Sequence, residues 1–271
     1  MAGAMRTIRG CELWVEDTGG QKPIVAMSHG LLWSAEMYRP QIEALRDRYR
    51  VIAWDHRGQG RSAVPAGRAV SIEEVTSDAL ALLQPLGEPV HFVGLSMGGF
   101  VGMRLAARHP ELVRSLVLLD TAPDPEPAAH LPKYGKLLWA ARFLGVNGLL
   151  ADRVLPIMVG DAVLEKAEHA ALRERLKRGL MENRRSIYKA VRGVLEREAV
   201  VDELANIRAP TLVLHGTQDH AIARERAELL KTHIAGARWE DIPEAGHTST
   251  LENPEAVTAA ISQFLESVGT A

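Results

Sequence analysis

Short apolar runs separated by stretches of helical periodicity constrain this chain more than any other feature of its sequence. Residues 24–28 (Ile-Val-Ala-Met-Ser), 51–54 (Val-Ile-Ala-Trp), 90–95, 116–119 and 211–215 read as buried strands. Between and after them the spacing becomes helical. Ile72, Val75, Ala79, Leu82, Leu83 and Leu86 fall on one face, and Ser71 with Glu74 forms a capping box at the start. Near the C-terminus Asn253 and Pro254 supply an N-cap and a first-turn proline, and Val257, Ile261, Phe264, Leu265 and Val268 line one side. The alternation predicts an α/β fold, a mostly parallel central sheet flanked by helices. It breaks after Pro123, where Pro125, Pro127 and Pro132 introduce a long stretch with helical spacing and no convincing strand. The expected organisation is a core of residues 1–123 and 207–271 carrying a helical cap, 124–206, as an insertion. The first cap helix is expected to carry Tyr134, Leu137, Leu138, Ala141 and Leu144 on one face.

The 271 residues suffice for one large core with an insertion, and 46% apolar and 24% charged residues fit a globular domain. A net charge of −2, with basic residues scattered or interleaved with acids, as in Arg173, Glu174, Arg175, Lys177 and Arg178, argues against nucleic acid as a partner. The charges of 161–200 read as solvated helix faces. Cys11 is the single cysteine, so an intrachain disulfide and a multi-thiolate metal site are both excluded, in keeping with a cytoplasmic location. Residues 1–5 lack the charge and apolar core of a secretory leader, and no run of about 18 apolar residues predicts a membrane span. No cofactor is expected.

Chemistry concentrates in Gly94-Leu95-Ser96-Met97-Gly98-Gly99, which follows the run 90–95 and opens a helix over 100–109. This is the arrangement of a nucleophile elbow. The serine sits in a tight strand-to-helix turn, small neighbours let the backbone fold back, and the helix N-terminus favours developing negative charge. A serine hydroxyl needs a base, and the base an orienting acid, in the chain order Ser, Asp or Glu, His. Asp219 follows the strand 211–215, and His247 lies in Glu244-Ala-Gly-His247 before the last helix. Both fall on loops at the sheet edge that carries Ser96, where parallel sheets place ligands. Asp120, ending the run 116–119, competes with Asp219 for the acid's role. Two backbone N–H donors for an oxyanion are expected from Met97 and, after Ser28-His29-Gly30, from Leu31. His29 reads as a brace of that loop. Trp33 is a candidate pocket wall or a packing residue, and Leu137, Leu138, Trp139, Phe143 and Met158 are further pocket candidates.

His29-Gly30-Leu31-Leu32, Asp55-His-Arg57-Gly58-Gln-Gly60-Arg-Ser62, Gly94-Leu-Ser96-Met-Gly98-Gly99, the Asp219 loop and Gly246-His247 together resemble the α/β-hydrolase superfamily over essentially the whole chain. Within it the sequence is similar to bacterial aryl esterases, cofactor-free haloperoxidase-like esterases and enol-lactonases. The resemblance implies Ser96 as nucleophile, Asp219 as acid, His247 as base, and Leu31 and Met97 as oxyanion donors. It implies a structural role for Asp55, Arg57 and Gly58. Gly30-Leu31-Leu32 departs from the glycine run of carboxylesterases with a long oxyanion segment.

A serine rather than an aspartate at position 96 lends no support to dehalogenase or epoxide-hydrolase chemistry. No His-x-His-x-Asp-His cluster occurs, which disfavours a metal-dependent lactonase. The leading expectation is hydrolysis of small soluble carboxylic esters or lactones. Peroxyacid formation, carbon–carbon bond hydrolysis and amide hydrolysis remain open on the same residues, as does a sensor that binds a small molecule without turning it over.

Overall fold

The computed structural model describes residues 3–269. Residues 1 and 2 of the N-terminal stretch read above lie outside them. The chain builds β1 (Gly3–Ile8), β2 (Cys11–Asp17), β3 (Ile24–Ser28), α1 (Arg39–Leu45), β4 (Arg50–Trp54), α2 (Ile72–Leu83), β5 (Val90–Leu95), α3 (Met97–Arg108) and β6 (Val113–Leu119). After β6 come α4 (Leu131–Leu144), α5 (Gly148–Met158), α6 (Asp161–Glu165), α7 (Ala170–Met181) and α8 (Tyr188–Leu195), without an intervening strand. Then follow β7 (Thr211–Gly216), α9 (Arg224–His233), β8 (Arg238–Ile242), α10 (Ser249–Glu252) and α11 (Pro254–Val268).

The strands form one sheet in the order β1-β2-β4-β3-β5-β6-β7-β8. From β4 to β8 all neighbours are parallel, while β1 and β2 join antiparallel at one edge. Strand side chains alternate between two cores, as a period of two requires. Ile24, Ala26, Ile52, Trp54 and Phe92 pack with α2 and α3 on one face. Val25, Met27, Val51, Ala53, Val93 and Leu119 pack with α1 and α11 on the other. Both cores are made of residues near zero exposure, so the sheet is a rigid platform for the loops at its edge.

Local chemistry fixes the helix ends. The Ser71 hydroxyl accepts from the Glu74 amide at 3.1 Å, and the Glu74 carboxylate accepts from the Ser71 amide at 2.9 Å. The helical spacing that reaches Leu86 in sequence is α-helical only to Leu83. Pro85 brings no N–H to continue the ladder, and the chain tightens through a 3₁₀ turn to Gly87 at φ 75°. At the C-terminal helix the Asn253 side chain accepts from the Ala256 amide. The hairpin β1–β2 carries no expectation in the sequence reading. β2 does alternate, with Cys11, Leu13 and Val15 buried, but β1 is an edge strand whose residues are all exposed or only partly buried, so its sequence has no clear apolar face to display.

Candidate active site

The sharpest local constraint sits between β5 and α3. Ser96 adopts φ 51°, ψ −109°, a conformation that L side chains avoid and that only a tightly determined surrounding maintains. That surrounding is backbone against backbone. A Cβ on Gly98 would lie 1.8 Å from the Ser28 carbonyl oxygen, and one on Gly94 would lie 2.3 Å from the Gly98 oxygen. Glycine at both positions is therefore what lets α3 start directly over the strand ends. The Thr121 hydroxyl, from the loop after β6, donates to the Ser96 carbonyl at 2.9 Å and ties the turn down.

Ser96 follows β5, Asp219 follows β7 and His247 follows β8, so three strands of one parallel run, with β6 between the first two, deliver three side chains to the same sheet edge. His247 Nε2 lies 2.8 Å from Ser96 Oγ, and its Nδ1 lies 3.0 Å from Asp219 Oδ2. The other Asp219 oxygen accepts the amides of Ala221 and Ile222 at 2.8 and 3.0 Å, which orients the carboxylate and leaves Oδ2 for the ring. Burial alone would push the His247 pKa down. The Asp219 charge and hydrogen bond, with the Asp120 and Glu252 charges behind them, hold it above the usual histidine value instead.

Asp120 is engaged elsewhere. Its oxygens accept the Gly216 amide at 2.7 Å and the Ser249 hydroxyl at 2.5 Å, so it braces the loops after β7 and β8. Burial, and then the charge of Asp219, push its carboxyl well above the usual carboxylate range. Asp120, His215 and Asp219 bring ligand-type atoms within 4.8 Å of one another. Both carboxylates already engage their oxygens in the bonds just described, so the geometry is that of a hydrogen-bonded network.

Leu31 lies in a turn that follows β3. His29 Nδ1 lies 2.7 Å from the Gly30 oxygen, and His29 Nε2 accepts the His56 amide at 2.9 Å, consistent with a loop brace. Leu32 stands at φ 72° with its amide donating to Gln59 Oε1. A Cβ on Gly30 would be 3.7 Å from Ser96 Cβ, so the turn passes directly beside the serine. Met97 is fully buried, and its amide is the first of α3, a position without an intrahelical acceptor. Asp55 and Arg57 are buried as well. Asp55 accepts the amides of Ala35 and Arg61, and Arg57 makes two bonds to Asp78 at 2.5 Å.

Above Ser96 and His247 lies a cavity of about 140 Å³. Leu31 and Phe100 line it from below, and Leu137, Leu138 and Met158 from the helices between β6 and β7. Its wall is almost wholly apolar, and the side chains of Glu126 and Arg197, which also line it, are buried and paired with each other at 3.2 Å. Three pocket candidates fall elsewhere. Trp139 and Phe143 are 59% and 51% exposed and meet as tilted rings with centroids 5.2 Å apart, because their four-residue spacing puts them on the outer face of α4. Leu144 shares that exposure, so the inner face of α4 is Tyr134, Leu137, Leu138 and Ala141. The positive φ of Leu32 turns Trp33 away from the cavity, into a separate groove beneath α7 with Arg175 and Asn183.

Sequence reasoning missed Glu252, Gln218 and Thr121. Each is a polar residue whose role is a bond to a distant backbone group, and short-range pattern carries no trace of that. Among the described residues, no helix is long and apolar enough to cross a membrane.

Residues 23–254 match the profile of the alpha/beta hydrolase fold family. A Caulobacter protein named as carbamate hydrolase RutD is 29% identical over 264 residues, covering 93% of this chain and 95% of its own. 3-Oxoadipate enol-lactonase 2 of Acinetobacter baylyi is 29% identical over 249 residues, covering 90% and 89%. Among solved structures, a thermophilic esterase from Thermogutta terrifontis with malate bound superposes at a TM-score of 0.88, with 29% identity and 99% of both chains covered. The enol-lactonase from Burkholderia xenovorans does so at 0.88 and 29%, covering 97% of this chain and 100% of its own.

Proposed function

Since the chain belongs to the alpha/beta hydrolase fold family and is a hydrolase by that kinship, we propose that it is a serine hydrolase of small soluble carboxylic esters or lactones. The observation that carries the reading is the chain of contacts from Ser96 Oγ through His247 to Asp219, at 2.8 and 3.0 Å. Ser96 Oγ attacks the substrate carbonyl carbon while His247 Nε2 takes the hydroxyl proton, and Asp219 stabilises the resulting imidazolium. The Met97 and Leu31 amides receive the oxyanion. The tetrahedral species then expels the alcohol, which leaves with the proton from His247, and an acyl-Ser96 ester remains. Water, deprotonated by the same ring, attacks that ester. Collapse returns the proton to Ser96 and releases the acid. For a lactone the alcohol and acid are one molecule.

The inserted helices act as a cap that limits the size of the acyl group. An apolar cavity in which Glu126 and Arg197 neutralise each other favours apolar acyl chains of limited length over long or strongly polar ones. The relatives named as carbamate hydrolases favour a second reading, cleavage of a carbamate by the same steps with an amine as leaving group. These steps call for no metal, and the single cysteine fits a reducing, cytoplasmic location. The test is Ser96→Ala with a panel of nitrophenyl esters, lactones and carbamates. A serine-directed fluorophosphonate should label the wild type and not the variant. Turnover near the wild-type rate by a folded Ser96→Ala protein refutes the reading.

A further inference from the structure

Glu252 ends α10, a single turn that follows the His247 loop, and is buried. Its carboxylate accepts three backbone amides. Oε2 takes Gly246 at 3.0 Å and Gly160 at 2.7 Å, and Oε1 takes Thr248 at 2.9 Å. Gly246 and Thr248 are the residues on either side of His247, while Gly160 belongs to the inserted helices, between α5 and α6. The same junction is tied to the site twice more. The Thr248 hydroxyl donates to the Met158 carbonyl at 2.7 Å, and the Ala162 amide donates at 2.9 Å to Gln218, the neighbour of Asp219. The approach is so close that a Cβ on Gly246 would lie 2.2 Å from the Gly160 nitrogen.

We propose that Glu252 is a positioning residue for His247, fixing the peptide units on both sides of it and pinning them to Gly160 of the inserted helices. The proposal rests on the reading of His247 as the base. Two carboxylate oxygens meet three buried donors, and a neutral side chain of the same size cannot. The terminal amide of glutamine offers one oxygen, and its NH₂ group would face an N–H, leaving a buried donor without an acceptor. The loop would then shift, and with it the ring that must stay within hydrogen-bond reach of Ser96 Oγ. The segment 158–162 is on this view part of the catalytic frame as well as part of a lid.

The carboxylate also acts through its charge. Burial lowers the His247 pKa. Asp219, Asp120 and Glu252 raise it; His215 also lies close by, and Glu126, Tyr134 and Arg197 line the same cavity as the ring. Burial pushes the Glu252 carboxyl itself above the usual carboxylate value, against the three amides that hold it down. Removing the Glu252 charge should therefore move the His247 titration to lower pH, which a purely structural strut would not do. Glu252→Asp keeps the charge but falls one methylene short of the three amides.

The experiment compares wild type, Glu252→Gln and Glu252→Asp by kcat and KM on p-nitrophenyl acetate, and by NMR titration of the His247 ring from about pH 5 to about pH 9. For Glu252→Gln we expect kcat to fall on the order of 10- to 100-fold with KM within about twofold, and the His247 titration to move down. Glu252→Asp should lose kcat while titrating near the wild-type value. A folded Glu252→Gln protein with kcat within about twofold of wild type, or with an unmoved His247 titration, overturns the proposal. If Glu252→Gln does not fold, Glu252→Asp decides. Lost kcat at unchanged KM supports the proposal, and kcat within about twofold overturns it. Wild-type protein without Ser96-dependent turnover would sink the serine reading itself, while the NMR titration would still judge Glu252.

Discussion

Replacing Asp219 by asparagine tests the site most severely, because the structure dictates how the new amide must sit. Asp219 Oδ1 accepts the Ala221 and Ile222 amides at 2.8 and 3.0 Å, and only an oxygen can remain there. The asparagine NH₂ is therefore forced toward His247 Nδ1, which now has to accept. The ring's proton moves to Nε2, which then donates to Ser96 Oγ instead of accepting from it. The base is present, in place and in the wrong tautomer, and the imidazolium loses its counter-charge. The corresponding change in a serine protease triad lowers kcat by about 10⁴, which is about 5 kcal/mol of transition-state stabilisation. We expect a loss of that order here, with the fold retained, since the side chain keeps its shape and its two backbone bonds. The assay is steady-state kcat on a nitrophenyl ester, with circular dichroism and thermal unfolding as controls. Asp120→Asn is the companion. Its oxygen can keep the Gly216 amide and its NH₂ can donate to the Ser249 hydroxyl, so activity should fall by less than about fivefold. A loss below about tenfold in Asp219→Asn, or the reverse ranking of the two variants, would refute the assignment of the acid.

Because the His247 pKa is held above its usual value, kcat/KM should fall on acidification with a midpoint above about 6.5, read from its pH profile; a midpoint below that contradicts the shift. Asp120 is a carboxyl whose pKa is raised in the folded state, so the stability it confers is present at low pH and lost as pH rises through the folded value. Asp120→Asn, which does not titrate, should gain in Tm relative to wild type between mildly acidic and alkaline pH, and a constant difference would show that Asp120 does not titrate there. Acyl-chain length should raise kcat/KM by up to about fourfold per methylene, from about 0.8 kcal/mol each, until the cavity of about 140 Å³ is filled. A preference for long-chain emulsified triglyceride, with activation at the oil interface, would contradict a cavity of this limited volume. Gly98→Ala should lower stability by about 3 kcal/mol or prevent folding, measured by denaturant unfolding, because its Cβ would lie 1.8 Å from the Ser28 oxygen; a mild variant would mean that the turn can relax.

What sequence could deliver here follows the range of the interactions that shape each part. The buried strands were legible because every residue of β3, β5 and β7 is enclosed, so composition alone marks them. Ser96 was legible because its turn needs small residues at fixed spacing, a constraint written within five positions of chain. Asp219 and His247 could be placed by their order after successive strands, since a parallel sheet brings each strand's C-terminal end to one edge. The pocket was legible only by halves. Helical periodicity identified α4, but which side of it faces the cavity depends on how the helix is docked, so Leu137 and Leu138 line the wall while Trp139 and Phe143 stand in water. The same holds for Trp33, whose direction is set by the positive φ of Leu32, at a position where leucine gives no hint of it.

Glu252 marks the far limit of such reading. In sequence it precedes an N-cap asparagine and a first-turn proline, where an acidic residue is ordinary, and nothing local distinguishes it from a solvated side chain. Its partners lie 4, 6 and 92 residues away, and it is the most distant of them, Gly160, that brings a third donor to a carboxylate otherwise bound within its own loop. A buried carboxylate demands compensation in proportion to its isolation, so the donors must converge wherever it is buried. The loop that carries His247 and the junction between α5 and α6 are thereby obliged to meet. Substitutions that change the acyl cavity by moving α5 or α6 should for this reason alter kcat together with substrate preference, whereas changes confined to α4, which makes none of these bonds, should alter preference alone.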